Sequence, residues 1–183
     1  MTRAQIEQLV IEKARACGLD ERIAHSQISV ESSFNPRAVG PMTRYGTAKG
    51  LAQFIDDTAR RYGVRDPFDP YQALDGYCAY MTDLLRMFGA DYRLALAGYH
   101  SGEGAARAAL NNCKGNPNTC NYVATILSRA GRSDTFPSGP VGGTGGNVAT
   151  PSNTSQPQPT MTTTTKYALG AIAFVLIAVA LSK

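Results

Sequence analysis

A mainly α-helical fold is what the sequence predicts for residues 1–132. Apolar side chains recur there at three- and four-residue steps, which is the period of an amphipathic helix. Glycine or proline closes each helical run, and no run shows the convincing alternation of a strand. The composition changes after Gly131, so we expect one domain of ordinary size followed by segments of another kind.

Two helices are predicted at the start of the chain. The first runs from Arg3 to Cys17 and ends at Gly18. The charges spread through it are incompatible with the apolar core of a cleavable secretory signal, so export would need another route. The second helix is capped by Asp20 and ends before Pro36. One face of this second helix carries Ile23, Ala24, Gln27, Ile28 and Glu31.

The remainder of the domain is predicted as helices separated by loops. Residues 40–49 are rich in glycine, proline and threonine and are predicted to form a loop, as is the proline-containing segment 65–70. Further helices are expected at residues 50–62, 71–88, 92–99, 104–110 and 121–130.

Four cysteines allow three pairings. The residues between Cys113 and Cys120 suit a turn, so a disulfide between these two is favoured, and buried free thiols are the alternative. The pairing of Cys17 and Cys78 is left open. No metal site is expected, because His25, His100 and the cysteines lack paired-ligand spacing.

Two segments follow the domain. Residues 133–165 are rich in Gly, Pro, Ser, Thr, Asn and Gln and are predicted to form a flexible linker, since they hold too few apolar side chains to order themselves. Residues 166–183 hold an apolar run between Lys166 and Lys183. As a helix this run extends about 24 Å, workable against a hydrocarbon thickness of about 30 Å, so one C-terminal transmembrane helix of undecided orientation is predicted.

The charge of the chain is modest. It carries 18 Lys and Arg against 14 Asp and Glu, a formal net charge of +4, which is compatible with anionic polymers such as those of a cell wall and with many other surfaces. Long basic runs and zinc-finger spacings are absent from the sequence, so nucleic acid is not an expected partner.

Glu31 is the candidate catalytic residue. It extends the apolar face of the second helix at the correct helical step, so its carboxyl group is expected to lose solvation. Desolvation favours the protonated form, which can protonate a glycosidic oxygen near neutral pH. The alternative is a solvated glutamate that merely ends the helix.

Four motifs resemble those of the soluble lytic transglycosylase family, in the family's order. They are ESSFNPRA at 31–38, GLAQF at 50–54 with Thr58-Ala59 behind it, ALAGYHSG at 95–102 and NYV at 121–123. Three positions depart from the family pattern: Ala52 replaces Met, His100 replaces Asn, and Asp56-Asp57 replaces a Pro-Ala pair.

The resemblance implies a lysozyme-like helical domain with a glycan cleft and catalytic Glu31 at its floor. It also implies substrate contacts from Gln53, Ile55, Tyr99, His100 and Tyr122. Core packing is the alternative for each tyrosine taken alone. His100 either hydrogen-bonds the substrate in place of the amide or packs at a turn.

The family's reaction would cleave the MurNAc-β-1,4-GlcNAc bond of peptidoglycan without water. Glu31 would act first as acid and then as base, leaving a 1,6-anhydro-MurNAc end, and no cofactor is called for. One alternative is a hydrolytic lysozyme using Glu31 with Asp56 or Asp57, since a conventional glycosidase needs two carboxylates. The other alternative is an inactive module that binds peptidoglycan.

The plan of domain, linker and anchor is similar to that of virion-associated transglycosylases of membrane-containing phages. It favours a single-pass protein in the internal membrane of a virion that opens the wall locally, or otherwise in a bacterial inner membrane facing the periplasm. The expected partners are peptidoglycan glycan strands and, through the C-terminal helix, lipid.

Overall fold

The computed structural model describes residues 1–132, which form seven α-helices and one antiparallel pair of strands. In chain order these are α1 Arg3–Ala16, α2 Glu21–Ser32, β1 Val39–Thr43, β2 Gly46–Lys49, α3 Asp56–Arg61, α4 Pro70–Met87, α5 Tyr92–Ser101, α6 Ala106–Asn111 and α7 Pro117–Arg129. The predicted mainly helical fold is confirmed. The predicted linker at 133–165 and transmembrane helix at 166–183 lie outside the described residues, and no helix within residues 1–132 is long and apolar enough to cross a membrane.

Aspartate side chains begin three of the helices. Asp20, Asp69 and Asp91 each accept hydrogen bonds from the backbone N–H groups two and three residues further along. Those N–H groups have no partner inside the helix, so each cap contributes about 1 kcal/mol of stability. The cap predicted at Asp20 is confirmed.

The segment predicted as a loop at 40–49 is instead a β-hairpin. Strands β1 and β2 pair antiparallel, with an irregular register between Val39 and Met42. At the turn, the Thr43 hydroxyl donates to the Gly46 carbonyl over 2.8 Å. Pro41 is tolerated because a two-stranded sheet has only edge strands, where one side of the backbone needs no partner. The prediction failed because neither strand buries one face, so the sequence does not alternate.

Two predicted helices begin elsewhere. The helix expected from residue 50 starts only at Asp56, because Gly50 and Gln53 take left-handed backbone angles of 72° and 49° in φ, which a right-handed helix cannot contain. The last helix starts at Pro117 and not at Asn121. Proline suits the first helical position, where its missing N–H is not needed.

Helix α5 lies at the centre of the core. Its residues 94–100 are all buried, and it packs against α4, α6 and α7. Helix α2 packs against α1 and α7. The buried faces of α2, α5 and α7 therefore converge, and each carries a residue singled out in the sequence: Glu31, His100 and Tyr122.

Two disulfides tie helices together. Cys17, at the end of α1, is bonded to Cys78 in α4, with a Cα–Cα distance of 6.1 Å. Cys113, after α6, is bonded to Cys120 in α7, with a Cα–Cα distance of 5.6 Å. Both distances lie in the ordinary range for disulfides. The first pairing is one that the sequence left open.

Candidate active site

Glu31 lies in the last turn of α2 with 6% of its surface exposed. Its Oε1 atom accepts a hydrogen bond of 2.5 Å from the Tyr122 hydroxyl. Its Oε2 atom is buried and has no hydrogen-bond partner among the described residues. The two carboxyl oxygens are thus in different environments, since one is hydrogen-bonded and the other is buried without a partner among residues 1–132.

Burial raises the pKa of Glu31 from 4.5 to about 7, against the opposing effect of the Tyr122 hydrogen bond. The physical cause is desolvation of the carboxylate, which the apolar interior penalises more than the neutral acid. A group with such a pKa can donate a proton at neutral pH and accept one afterwards.

Tyr122 connects Glu31 to two further side chains. Its oxygen accepts a hydrogen bond of 3.0 Å from Gln27 Nε2, and Gln27 Oε1 accepts one of 2.9 Å from the Tyr77 hydroxyl. Burial and the charge of Glu31 hold the pKa of Tyr122 well above its usual range, so the phenol keeps its proton. A continuous hydrogen-bonded chain therefore runs from α4 through α2 and α7 to Glu31.

Sequence reasoning gave no role to Gln27 or Tyr77. Gln27 offered a signal, because it is a polar residue on an otherwise apolar face, four residues before Glu31. Tyr77 offered none, since a tyrosine at helical spacing reads as ordinary core.

Tyr99 is buried beside this chain, but its hydroxyl is already engaged. It donates a hydrogen bond of 2.6 Å to the Ala52 carbonyl. Its ring lies 5.0 Å from that of Tyr80 and 6.1 Å from that of Phe54, centroid to centroid. Burial and the charge of Glu31 raise its pKa well above the usual value. Tyr99 thus supports the segment that precedes α3.

Gln53 also supports that segment. Its Nε2 atom donates hydrogen bonds to the carbonyls of Gly50 at 2.9 Å and Ala38 at 3.4 Å. Ile55, at the start of α3, is buried. The Gln53 amide donor is therefore bound to backbone, which joins the segment to the chain just before the hairpin.

His100 packs against the site from α5. Its ring lies 4.6 Å from the ring of Tyr122, and its Nδ1 atom is 3.1 Å from Thr119 Oγ1 on α7. The histidine is buried and packs against the ring of Tyr122. These contacts are compatible with a packing role, and the hydrogen bond from His100 to the substrate stays a prediction.

Asp56 and Asp57 lie on the surface of α3. Their side chains are 65% and 52% exposed and form ion pairs with Lys49 at 2.6 Å and Arg60 at 2.9 Å. Neither shares the burial that distinguishes Glu31. Within residues 1–132, no group of three or more His, Cys, Asp or Glu side chains is arranged to hold a metal ion.

Comparison with known proteins gives concordant matches. Residues 8–120, more than half of the chain, match the transglycosylase SLT domain family. Two relatives, each 35% identical, are a transglycosylase of Enterobacteria phage PRD1 and the membrane-bound lytic murein transglycosylase D of Escherichia coli K12. The matches cover 48% and 46% of this chain, but only 31% and 19% of the relatives. The chain thus spans less than a third of the length of either relative.

The fold is similar to that of a solved structure. The X-ray structure of an inactive mutant of the lytic transglycosylase Slt from Pseudomonas aeruginosa matches with a TM-score of 0.53 at 23% sequence identity. The match covers 66% of this chain and 22% of that chain. This agreement supports the predicted lysozyme-like arrangement of the helices.

Proposed function

The chain belongs to the transglycosylase SLT domain family, and from that membership we propose that it is a peptidoglycan lytic transglycosylase with Glu31 as its single acid and base. One observation carries the proposal. Glu31 is a buried carboxyl whose pKa is raised to about 7, with one oxygen held by Tyr122 and the other without a partner among residues 1–132. Such a group can transfer one proton in each direction through a single atom.

In the proposed reaction, Glu31 Oε2 donates its proton to the glycosidic oxygen as the bond from C1 to that oxygen breaks. The substrate's own N-acetyl oxygen stabilises the positive charge at C1. The Glu31 carboxylate then takes the proton of the C6 hydroxyl, and O6 bonds to C1. The enzyme regains its proton and no water is consumed, so the product carries a 1,6-anhydro end.

The Tyr122 hydrogen bond stabilises the intermediate state of Glu31. Once the proton has left, a buried carboxylate would be strongly disfavoured without a donor. Tyr122 supplies that donor at 2.5 Å, and a hydrogen bond to a charged acceptor is stronger than one between neutral groups. The residue therefore keeps the acid strong enough to donate its proton, while burial keeps the carboxylate basic enough to recover one.

The remaining predicted substrate-binding residues contribute mainly by shaping the site. Gln53 and Tyr99 use their donor groups on backbone carbonyls, and His100 packs on Tyr122. We propose that these three, together with buried Ile55, fix the wall beside Glu31 and bind sugar rings through contact surface.

Product analysis of digested peptidoglycan tests this function. Mass spectrometry should find 1,6-anhydro ends, and Glu31→Gln should abolish their release. Asp56→Asn and Asp57→Asn serve as matched controls that remove a carboxylate from the exposed surface, and both should keep the activity. Reducing ends that contain an added water, lost together with Asp56 or Asp57, would establish the hydrolytic alternative. A purified protein that binds walls but clears nothing in a zymogram would be the binding module.

We propose further that residues 1–132 form the catalytic domain, that residues 133–165 tether it and that residues 166–183 anchor it in a membrane. The apolar run between Lys166 and Lys183 supports the anchor. Two relatives also support it, because one is a phage transglycosylase and the other is named a membrane-bound lytic murein transglycosylase. Leu176→Arg places a charge in the middle of that run and should release the protein from sedimented membranes, because a charge in a membrane-spanning helix costs roughly 3 kcal/mol. Immunodetection in purified virions tests the favoured location, and detection only in the bacterial inner membrane would replace it.

A further inference from the structure

Gln27 is a fully buried amide, at 0% exposure, one helical turn before Glu31. Both ends of its side chain are engaged by tyrosine hydroxyls, Tyr77 at Oε1 and Tyr122 at Nε2. Burying an amide is unfavourable unless its hydrogen bonds are satisfied, and an apolar residue would fill the same space without that requirement. The position thus carries a polar group where packing alone calls for none.

The hydrogen bonds that connect Tyr77, Gln27, Tyr122 and Glu31 have a direction, which follows from which atoms can donate and which can accept. An amide nitrogen only donates, so the Tyr122 oxygen must act as acceptor toward Gln27. The single hydroxyl hydrogen of Tyr122 is then left for Glu31 Oε1. Tyr77 fixes the orientation of the amide, because its hydroxyl donates to Gln27 Oε1 over 2.9 Å.

Building on the proposed function, we propose that Gln27 and Tyr77 are positioning residues that keep Tyr122 a donor to Glu31 Oε1 and so confine the exchangeable proton to Oε2. An oxygen that accepts a hydrogen bond from Tyr122 has no need of a proton of its own, whereas Oε2 is unpaired among the described residues. The proton is thereby kept on the atom from which the proposed reaction transfers it to the glycosidic oxygen.

Without Gln27 the Tyr122 hydroxyl would be free to rotate. It could then accept a hydrogen bond from protonated Glu31, which would place the proton on Oε1, the wrong oxygen for transfer. The hydrogen bond that stabilises the carboxylate would also be weaker. Because that hydrogen bond lowers the pKa of Glu31, its loss should raise the pKa further.

The ionisable groups around Glu31 do not reverse this rise in its pKa. Three phenols feel the charge of Glu31, those of Tyr77 in α4, Tyr99 in α5 and Tyr122 in α7. His100 of α5 lies against the Tyr122 ring, and its Nδ1 is close to Thr119. Burial raises the pKa of all three phenols well above the usual value, so they stay neutral across the working range of pH.

The experiment uses Gln27→Met, which keeps the length of the side chain and removes both hydrogen bonds, and Tyr77→Phe, which removes one hydroxyl. Each should lower kcat by about tenfold or more with little change in KM, since the lost effect concerns proton transfer and not binding. The basic limb of the pH–kcat profile should move to higher pH. Tyr80→Phe is the matched control, because Tyr80 is a buried tyrosine of the same helix as Tyr77. Its hydroxyl donates to the Gly98 carbonyl over 3.4 Å and takes no part in the hydrogen bonds that lead to Glu31. This variant should leave kcat and the profile unchanged.

A second measurement does not depend on activity. The Glu31 carboxyl carbon, labelled with 13C and assigned by its absence in Glu31→Gln, should titrate at higher pH in Gln27→Met and in Tyr77→Phe than in the unaltered chain. Unchanged titration and unchanged kcat in both variants would overturn the positioning role. If Gln27→Met does not fold, Tyr77→Phe decides, because it removes a single atom. Failure of the unaltered chain to release anhydro ends would refute the proposed function, and the titration would still decide this inference.

Discussion

Glu31 owes its unusual environment to where α2 ends. Ser33 and Phe34 follow at once with left-handed backbone angles of 51° and 61° in φ, which turn the chain away from the helix. The carboxyl is left on the buried side of the last turn, where the partial negative charge of a helix C-terminus also disfavours a carboxylate. One residue thus combines burial and an unfavourable dipole, and both favour the neutral acid.

A stability measurement tests that environment without substrate. The folded-state pKa of Glu31 is raised to about 7 from an ordinary 4.5, so between these values the folded state binds more protons than the unfolded state. The contribution of Glu31 to stability is therefore complete below about pH 4.5 and is lost as pH rises through 7. Glu31→Gln cannot titrate, so it should gain on the wild type by roughly 2–3 kcal/mol between pH 5 and pH 8.

Urea unfolding of both proteins at the two pH values measures this gain. Taking the difference between the variant and the wild type at each pH removes the titration of other groups, which both proteins share. An equal difference at pH 5 and pH 8 would mean that Glu31 titrates alike in the folded and unfolded chains, and the case for a buried acid would fail.

Tyr122 can be tested by its pH profile. Tyr122→Phe keeps the ring that packs on His100 and removes the donor to Glu31 Oε1. Because the hydrogen bond lowers the pKa of Glu31, the basic limb of the rate profile should move upward from about pH 7, and kcat should fall about 10- to 100-fold. Tyr92→Phe provides a control, because the Tyr92 hydroxyl accepts a hydrogen bond from the Asp20 backbone N–H and takes no part in the hydrogen bonds that lead to Glu31. A Tyr122→Phe profile that coincides with the wild type would contradict the role.

The sequence revealed the acid more readily than its partners. A carboxylate on an apolar helical face is conspicuous, and Gln27 stands out on the same face for the same reason. The function of Gln27 depends on which hydroxyls meet it from α4 and α7, and spacing within one helix contains no such information. For Tyr99 the resemblance implied a substrate contact, and only the structure reveals that its hydroxyl donates to the Ala52 carbonyl.

At the level of elements, local patterns predicted the long helices and missed the hairpin. Helices α1, α2, α4 and α5 bury one face or more, so their apolar spacing records the fold directly. The hairpin at 39–49 depends on turn hydrogen bonds at Thr43 and on pairing between exposed strands. Such interactions leave little trace in hydrophobic spacing, whereas glycine and proline in the segment favour a loop.

Gly50 links the hairpin to the segment that holds Gln53. Its φ is 72°, and a Cβ atom there would overlap the carbonyl of Pro67. Gly63 has nearly the same angle, 73°, with nothing within 4 Å of the added atom, so it is a matched control for backbone strain alone. Gly63→Ala should cost about 1–2 kcal/mol, and Gly50→Ala roughly 2 kcal/mol more. Urea unfolding measures both, and equal losses would show that the Pro67 carbonyl yields without penalty.

Across the whole molecule, two disulfides fix the helices that surround the site. One joins α1 to α4, the helix of Tyr77, and the other joins the segment after α6 to α7, the helix of Tyr122. Spacing alone favoured the Cys113–Cys120 pair because its loop is short. It could not decide on Cys17 and Cys78, because their proximity depends on how α1 packs against α4.

The two disulfides should contribute unequally to stability. A disulfide stabilises mainly by restricting the unfolded chain, and the restriction grows with the logarithm of the loop that it closes. The sequence separations are 61 residues for Cys17–Cys78 and 7 for Cys113–Cys120. On that basis, the double serine variant of the first pair should lose about 4 kcal/mol and that of the second about 2 kcal/mol.

Urea unfolding of the two double variants at one pH measures these losses. The loss of kcat in the folded variants should follow the opposite order, with the larger loss in the variant that lacks the Cys113–Cys120 disulfide. Cys120 lies two residues before Tyr122 and beside Thr119, which contacts His100. The Cys113–Cys120 disulfide therefore holds the start of α7, the helix that positions the donor to Glu31. Cys78 adjoins Tyr77, which reaches the carboxyl only through Gln27 and Tyr122, so loss of the Cys17–Cys78 disulfide should affect stability more than kcat. If removing the longer-loop disulfide instead lowered kcat more at a temperature where both variants are folded, the proposed support of Tyr122 by α7 would be wrong.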